Sequence, residues 1–128
     1  MRELPNQASS EESPRREVED FLPLHPFELR ILLVLAAEGP SHGYPIIKSI
    51  EEKDGSWKRV LPANLYRRLR DMLARGLVRE VDVVDGAPDD DRQRRTFALT
   101  ELGRRVAVAE THRIEALLND AKAALRGA

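Results

Sequence analysis

The chain of 128 residues contains no cysteine. That excludes a disulfide scaffold, thiol catalysis and thiolate metal sites. No apolar run approaches the roughly 20 residues needed to span a bilayer, and the N-terminus lacks the apolar core of a secretory signal. Gly-rich phosphate loops and nucleophile motifs are missing, so nothing supports an enzyme. His25, His42 and His112 have no ligand-like spacing, and Asp89, Asp90 and Asp91 read as an acidic turn. No metal or cofactor is therefore expected. A large charge excess is also absent: 21 basic residues face 22 acidic ones, for a net charge of −1. This rules out a protein coated in positive charge, but not one with a local basic patch. With 41% apolar and 34% charged residues the chain is too apolar to be disordered. The expectation is a soluble, cytoplasmic protein with no membrane partner.

What is present is unevenly placed. Residues 1–20 carry −3 and the remainder +2. The polar stretch 6–14 cannot bury enough surface to order itself, so 1–23 read as a flexible acidic arm. The fold begins near Leu24. Pro26 suits a first helical turn, and Phe27, Ile31, Leu32 and Leu35 recur at helical spacing up to the stop at Glu38, Gly39 and Pro40. Being apolar nearly all round, this helix should be buried. A second helix starts close to Pro45, with Ile46, Ile47 and Ile50 as its apolar stripe and Lys48, Glu51, Glu52 and Lys53 on its wet face. His42 reads as a residue of its start. A third helix starts at Pro62. It buries Leu65, Leu69, Met72 and Leu73, turns Ala63, Asn64, Arg67, Asp71 and Ala74 outward, and carries Tyr66 and Arg68 on its flanks. Gly76 is placed to cap it.

The period then becomes extended over 77–85 and 92–99, around a turn at 86–91, which predicts a β-hairpin. Thr100 caps a final helix. Leu102, Val106, Ala109, Ile114, Leu117, Ala121 and Leu125 line its apolar side, interrupted by Glu110 and Arg113. A long amphipathic helix attached to a finished domain needs a partner, and a second copy is the simplest one. The dimer surface is assigned to those seven residues together with Arg113.

Three helices, a hairpin and a further helix form the order of a winged helix-turn-helix domain. In that arrangement the third helix enters the major groove and the hairpin follows the backbone. The fold class is thus mainly α with a small β-hairpin: an arm at 1–23, a winged helix-turn-helix domain at 24–99 and a long dimerisation helix at 100–128. Charge agrees with this. Lys58, Arg59, Arg67, Arg68, Arg70, Arg75 and Arg79 face only Asp71 between 58 and 79, and Arg92, Arg94 and Arg95 follow the turn. Phosphates are neutralised by Lys and Arg, and base edges are read by Asn and Arg. Asn64, Arg67 and Arg68 are assigned to the major groove. Lys58, Arg59 and Tyr66 are assigned to phosphates beside it, and Arg92, Arg94 and Arg95 to the wing. For Tyr66 a half-buried aromatic is an equal reading. Trp57 reads as core, or as the wall of an apolar cavity.

Several stretches carry a family resemblance: Gly39-Pro40-Ser41-His42-Gly43-Tyr44, Ile46-Ile47-Lys48-Ser49-Ile50-Glu51-Glu52, Leu61-Pro62-Ala63-Asn64-Leu65-Tyr66, Leu69 with Gly76-Leu77-Val78, the pair Arg94-Arg95, and Leu99-Thr100-Glu101-Leu102-Gly103-Arg104. Together, over 27–105, they resemble the PadR family of bacterial transcriptional regulators, in its form with a single C-terminal helix. The resemblance implies a homodimeric repressor on a roughly palindromic double-stranded DNA operator. It also permits a small apolar or aromatic effector, for which Trp57 is the candidate contact. The chain departs from the family at Leu61, where Ser is usual, at Asn64 for Thr, at Phe97 for Tyr and at Pro45 for Glu. The Leu61 exchange loses an N-cap worth roughly 1 kcal/mol. Two rival readings remain: a winged-helix adaptor for another protein, and a ligand sensor that does not bind DNA.

Overall fold

The computed structural model describes residues 18–53, 59–81 and 95–126. Its elements are α1 (Pro26–Glu38), β1 (Ser41–His42), α2 (Gly43–Lys53), α3 (Pro62–Ala74), β2 (Val78–Val81), β3 (Thr96–Leu99) and α4 (Glu101–Ala124). The helical order expected from periodicity is present, with a small antiparallel sheet behind it. Two compact units divide the chain, one spanning His25–Arg104 and the other made of the ends on either side of it.

In the first unit, α1 starts where Pro26 can sit without an N–H to satisfy. His25 caps it, its Nδ1 accepting from the Phe27 N–H at 3.0 Å. Ile31, Leu32 and Leu35 of α1, Ile46 and Ile50 of α2, Leu65, Leu69 and Met72 of α3, and Phe97 of β3 are buried together. The expectation that α1 is covered on all sides does not hold. Leu33 is 38% exposed, and with Val34, Ala37, Ile50 and Lys53 it lines a groove of about 400 Å³ between α1 and α2. On α2, Glu51 is drawn off the wet face because its carboxylate accepts from the Val60 N–H at 2.7 Å. That bond ties the end of the connector to α2.

The sheet has three strands rather than the two of a hairpin, in the order β1-β3-β2. Ser41 and His42, expected at a helix start, instead pair with Phe97 and Thr96. The His42 ring fastens this pairing. Its Nδ1 lies 3.0 Å from Thr96 Oγ1 and 3.3 Å from the Arg95 carbonyl.

At the end of α3 the chain reverses. Gly76 has φ 80°, its N–H donates to Leu73 O, and the Leu77 N–H donates to Met72 O. This is the Schellman closure that a glycine permits. The Leu77 carbonyl then accepts from the Thr100 N–H at 3.2 Å, while the Thr100 hydroxyl donates to the Gly76 carbonyl at 2.7 Å, with the Leu77 carbonyl a longer second acceptor at 3.0 Å. Thr100 Oγ1 in turn accepts from the Gly103 N–H at 2.9 Å and so caps α4. The approach is so close that a Cβ on Gly103 would fall 2.1 Å from Leu77 O.

In the second unit, α4 continues beside a short N-terminal segment. Phe21 and Leu22 close a single helical turn onto Val18 and Glu19, and Val18 and Leu24 are buried. The Leu24 N–H donates to Glu110 Oε2 at 3.2 Å. Arg113 grips the same carboxylate with two bonds, at 2.7 and 2.9 Å. Residues 18–23 are therefore built into this unit, although the sequence places them in the arm. Their anchor is a carboxylate 86 positions away. Residues 1–17 of the expected arm lie outside the described residues.

Two outcomes follow. Gly103→Ala should destabilise the protein by about 1–3 kcal/mol, read by urea unfolding, because Leu77 O is backbone and cannot swing aside. The Arg113 hydrogen bonds hold the Glu110 carboxyl below its ordinary range, burial opposes them, and the Leu24 N–H adds to them. A carboxyl with a lowered folded pKa contributes its full stabilisation above the unfolded value of about 4.3 and loses it as pH falls through the folded value. Protection of the Leu24 amide, taken as its exchange rate relative to the unstructured rate at the same pH, should thus fall on acidification below about pH 4, and Glu110→Gln should abolish that dependence.

Candidate nucleic-acid interface

The apolar stripe of α3 is spent on the core, and this sets the azimuth of everything else on the helix. At 100° per residue, the side opposite Leu65, Leu69 and Met72 holds Ala63, Asn64, Arg67, Arg70, Asp71 and Ala74, and all six are exposed. Leu61 at the N-cap has no side-chain capping bond, as expected of a leucine there. The Asn64 and Leu65 N–H groups instead donate to the Leu61 carbonyl at 3.0 and 3.1 Å. The outer face therefore offers an amide, two guanidiniums and the Asp71 carboxylate over about two turns, and Arg59, ahead of the helix in sequence, and Arg79 on β2 are exposed as well. Arg70 was counted in the basic cluster but not assigned to the site. Its place on the Arg67 side of the wheel was the available signal.

Arg68 requires a correction. It does not join Arg67 on the outer face. Its Nη1 meets Glu28 Oε2 of α1 at 3.2 Å, and the Arg75 Nη2 reaches the same oxygen at 2.6 Å. Arg75 also bridges to Asp71 at 2.7 Å. The Glu28 side chain is only 6% exposed, so two of the basic residues on α3 neutralise a buried carboxylate.

Tyr66 is half-buried, as the alternative reading had it. Its ring tilts against Phe97 with centroids 6.4 Å apart. Its hydroxyl end lies against Gly43, where a Cβ would collide with it. The glycine that opens α2 thus makes room for the side chain that seats α3 on the sheet.

On the wing, Arg95 is gripped by Glu80 through Nε at 2.7 Å and Nη2 at 2.9 Å, and its guanidinium sits over the Phe97 ring at 5.6 Å. These bonds lower the Glu80 pKa and raise that of Arg95. Arg95 accordingly meets any partner with its charge already matched. Lys58, Arg92, Arg94 and Trp57 lie outside the described residues. Exposed Tyr44 on α2, with the Lys48 ammonium 5.9 Å from its ring centroid, is a surface feature that sequence analysis did not assign.

Along α4 the assigned dimer residues separate. Val106 is fully buried within the chain and Arg113 is held by Glu110. Val106 is therefore core, and Arg113 has a partner on its own helix. Leu102, Ala109 and Ala121 are half-buried. Ile114, Leu117 and Leu125 are exposed, and Leu118 joins them at 49% exposure. Leu118 was missed although it stands four residues after Ile114.

Among the described residues no helix is long and apolar enough to cross a membrane, and no cluster of His, Asp or Glu is placed to hold a metal ion.

Comparison with known proteins places this arrangement. A model of the transcriptional regulator PadR-like family matches residues 31–109. An uncharacterised 37.1 kDa protein of transposon Tn4556 from Streptomyces fradiae is 34% identical over 82 residues, covering 64% of this chain. The chain spans only 21% of that relative's length. The structure of RosR from H. salinarum is 28% identical, with a TM-score of 0.57 over 82% of this chain and 99% of that one. A PadR family transcriptional regulator of Eggerthella lenta shares the fold at 17% identity, with a TM-score of 0.58 over 98% and 99% of the two chains.

The Glu80–Arg95 pair gives a direct check on the wing. In Arg95→Ala the Glu80 carboxyl should titrate at a higher pH than in the unaltered protein, as followed by side-chain NMR. An unmoved Glu80 titration would show that the pair does not persist in solution.

Proposed function

Since the chain belongs to the PadR-like family of transcriptional regulators, we propose that it is a homodimeric repressor that binds a palindromic operator through the outer face of α3. A regulator of this family is not an enzyme. The observation that carries the reading is the exposed row of Asn64, Arg67 and Arg70 on a helix whose opposite side is fully spent on the core. Asn can read adenine, and Arg can read guanine or hold phosphate. Exposed Arg59 and Arg79 are counted to the same basic surface in this reading, and Lys58, Arg92 and Arg94 add charge by sequence.

The second copy follows from α4. Ile114, Leu117, Leu118 and Leu125 share one side of the helix at spacings of three, four and seven residues and are exposed. A partner helix would bury them, and two-fold pairing is the commonest solution. Work in the cytoplasm, where the operator is, belongs to the same reading. So does release by a small apolar or aromatic effector, which quenching of Trp57 fluorescence would report.

The test is a titration with DNA from upstream of the coding region, against random duplex, at 50 and 200 mM salt. Tighter, salt-sensitive binding to the upstream fragment is expected. Arg67→Ala should weaken binding and reduce the slope of log K against log salt by about 0.9, the share of one phosphate contact. No binding at low salt would overturn the reading in favour of a protein adaptor.

A further inference from the structure

The Glu28 carboxylate sits in an unusual place. It is buried on α1, a helix otherwise rich in leucine, and a single oxygen receives guanidiniums from both Arg68 and Arg75 of α3. Those two arginines are seven residues apart and so share one azimuth of the helix, with Asp71 between them bridging to Arg75. Two cations and two anions are joined in one network of balanced charge. It clamps α3 to α1 along a line about 100° around the helix from Arg67.

Apolar packing alone holds a helix loosely in rotation, because leucine stripes tolerate small turns about the axis. A buried carboxylate with two fixed partners does not, since moving either leaves a charge unpaired. We propose that Glu28 is a positioning residue for DNA recognition. It fixes the rotation of α3 so that Asn64, Arg67 and Arg70 face outward together, and it withdraws Arg68 and Arg75 from the phosphates. The proposal rests on the DNA-binding reading above. It adds that discrimination between sequences depends on a side chain that touches no DNA.

The experiment measures the affinity of the full chain for random duplex and for a duplex selected from a random pool by the unaltered protein, each across a salt series. Arg68→Met should leave the salt slope unchanged, whereas Arg67→Met should lower it by about 0.9. Glu28→Gln, which frees Arg68 and Arg75, should hold or raise its affinity for random duplex and lose roughly tenfold or more in the ratio of selected to random binding, which is the scale of one mismatched base pair. A merely structural role would lower both affinities together and leave their ratio alone. Should Glu28→Gln not fold, the triple variant Glu28→Met/Arg68→Met/Arg75→Met removes the network as a whole, a kind of replacement that proteins tolerate, and the same ratio is read. A slope that falls for Arg68→Met as it does for Arg67→Met, or an unchanged ratio without the network, overturns this proposal alone. Absence of salt-dependent binding by the unaltered protein overturns the DNA-binding reading, and this proposal with it.

Discussion

The carbonyl of Leu77 is the point on which three elements of the fold depend. Gly76, at positive φ, ends α3 and turns the chain, and Leu77 leads directly into β2. Its oxygen receives the N–H of Thr100, the residue that caps α4, and the Thr100 hydroxyl is shared between it and the Gly76 carbonyl beside it. One acceptor thus registers the end of a helix, the first residue of a strand and the start of another helix. Gly103 allows the meeting because any side chain there would occupy the space of that oxygen. A helix end left without such partners would expose several unpaired backbone groups; here each is used to place the next element.

Much of this was legible in the sequence because it is local. Proline at the start of a helix, glycine at its end and threonine before a new one each act within four residues. The helical period over 62–74 is equally local, and it put Asn64 and Arg67 on the outside correctly. The two-residue strand β1 was not legible. Ser41 and His42 are too few to show a period, and only their pairing with β3, more than fifty positions on, makes them a strand. The same holds for the bond between the Leu24 N–H and Glu110, whose partners stand 86 positions apart.

Arg68 shows a different limit. On the helical wheel it stands at the border between the apolar stripe and the wet face, and its charge favoured the wet side. The decision is made by Glu28, forty positions earlier, to which the sequence analysis gave no role. Counting basic residues along α3 therefore overstated the charge available to a partner. What a helix surface can offer a partner is set by which of its arginines already meet an acid, as Arg68 and Arg75 do at Glu28. On the wing, Glu80 has the same effect on Arg95 in plain view of solvent. Both acids lie outside the segments in which the arginines cluster, so a tally taken by segment did not register them.

The short strand β1 has one more effect. By pairing with β3 it makes that strand the middle of the sheet, so that among the described residues one edge is two residues long and the other four. The longer edge, β2, places Arg79 and Glu80 at its centre. Short edges carrying charge of both signs make poor templates for a strand from another chain. Among the described residues, these edges therefore offer little purchase for edge-to-edge stacking of one sheet on another.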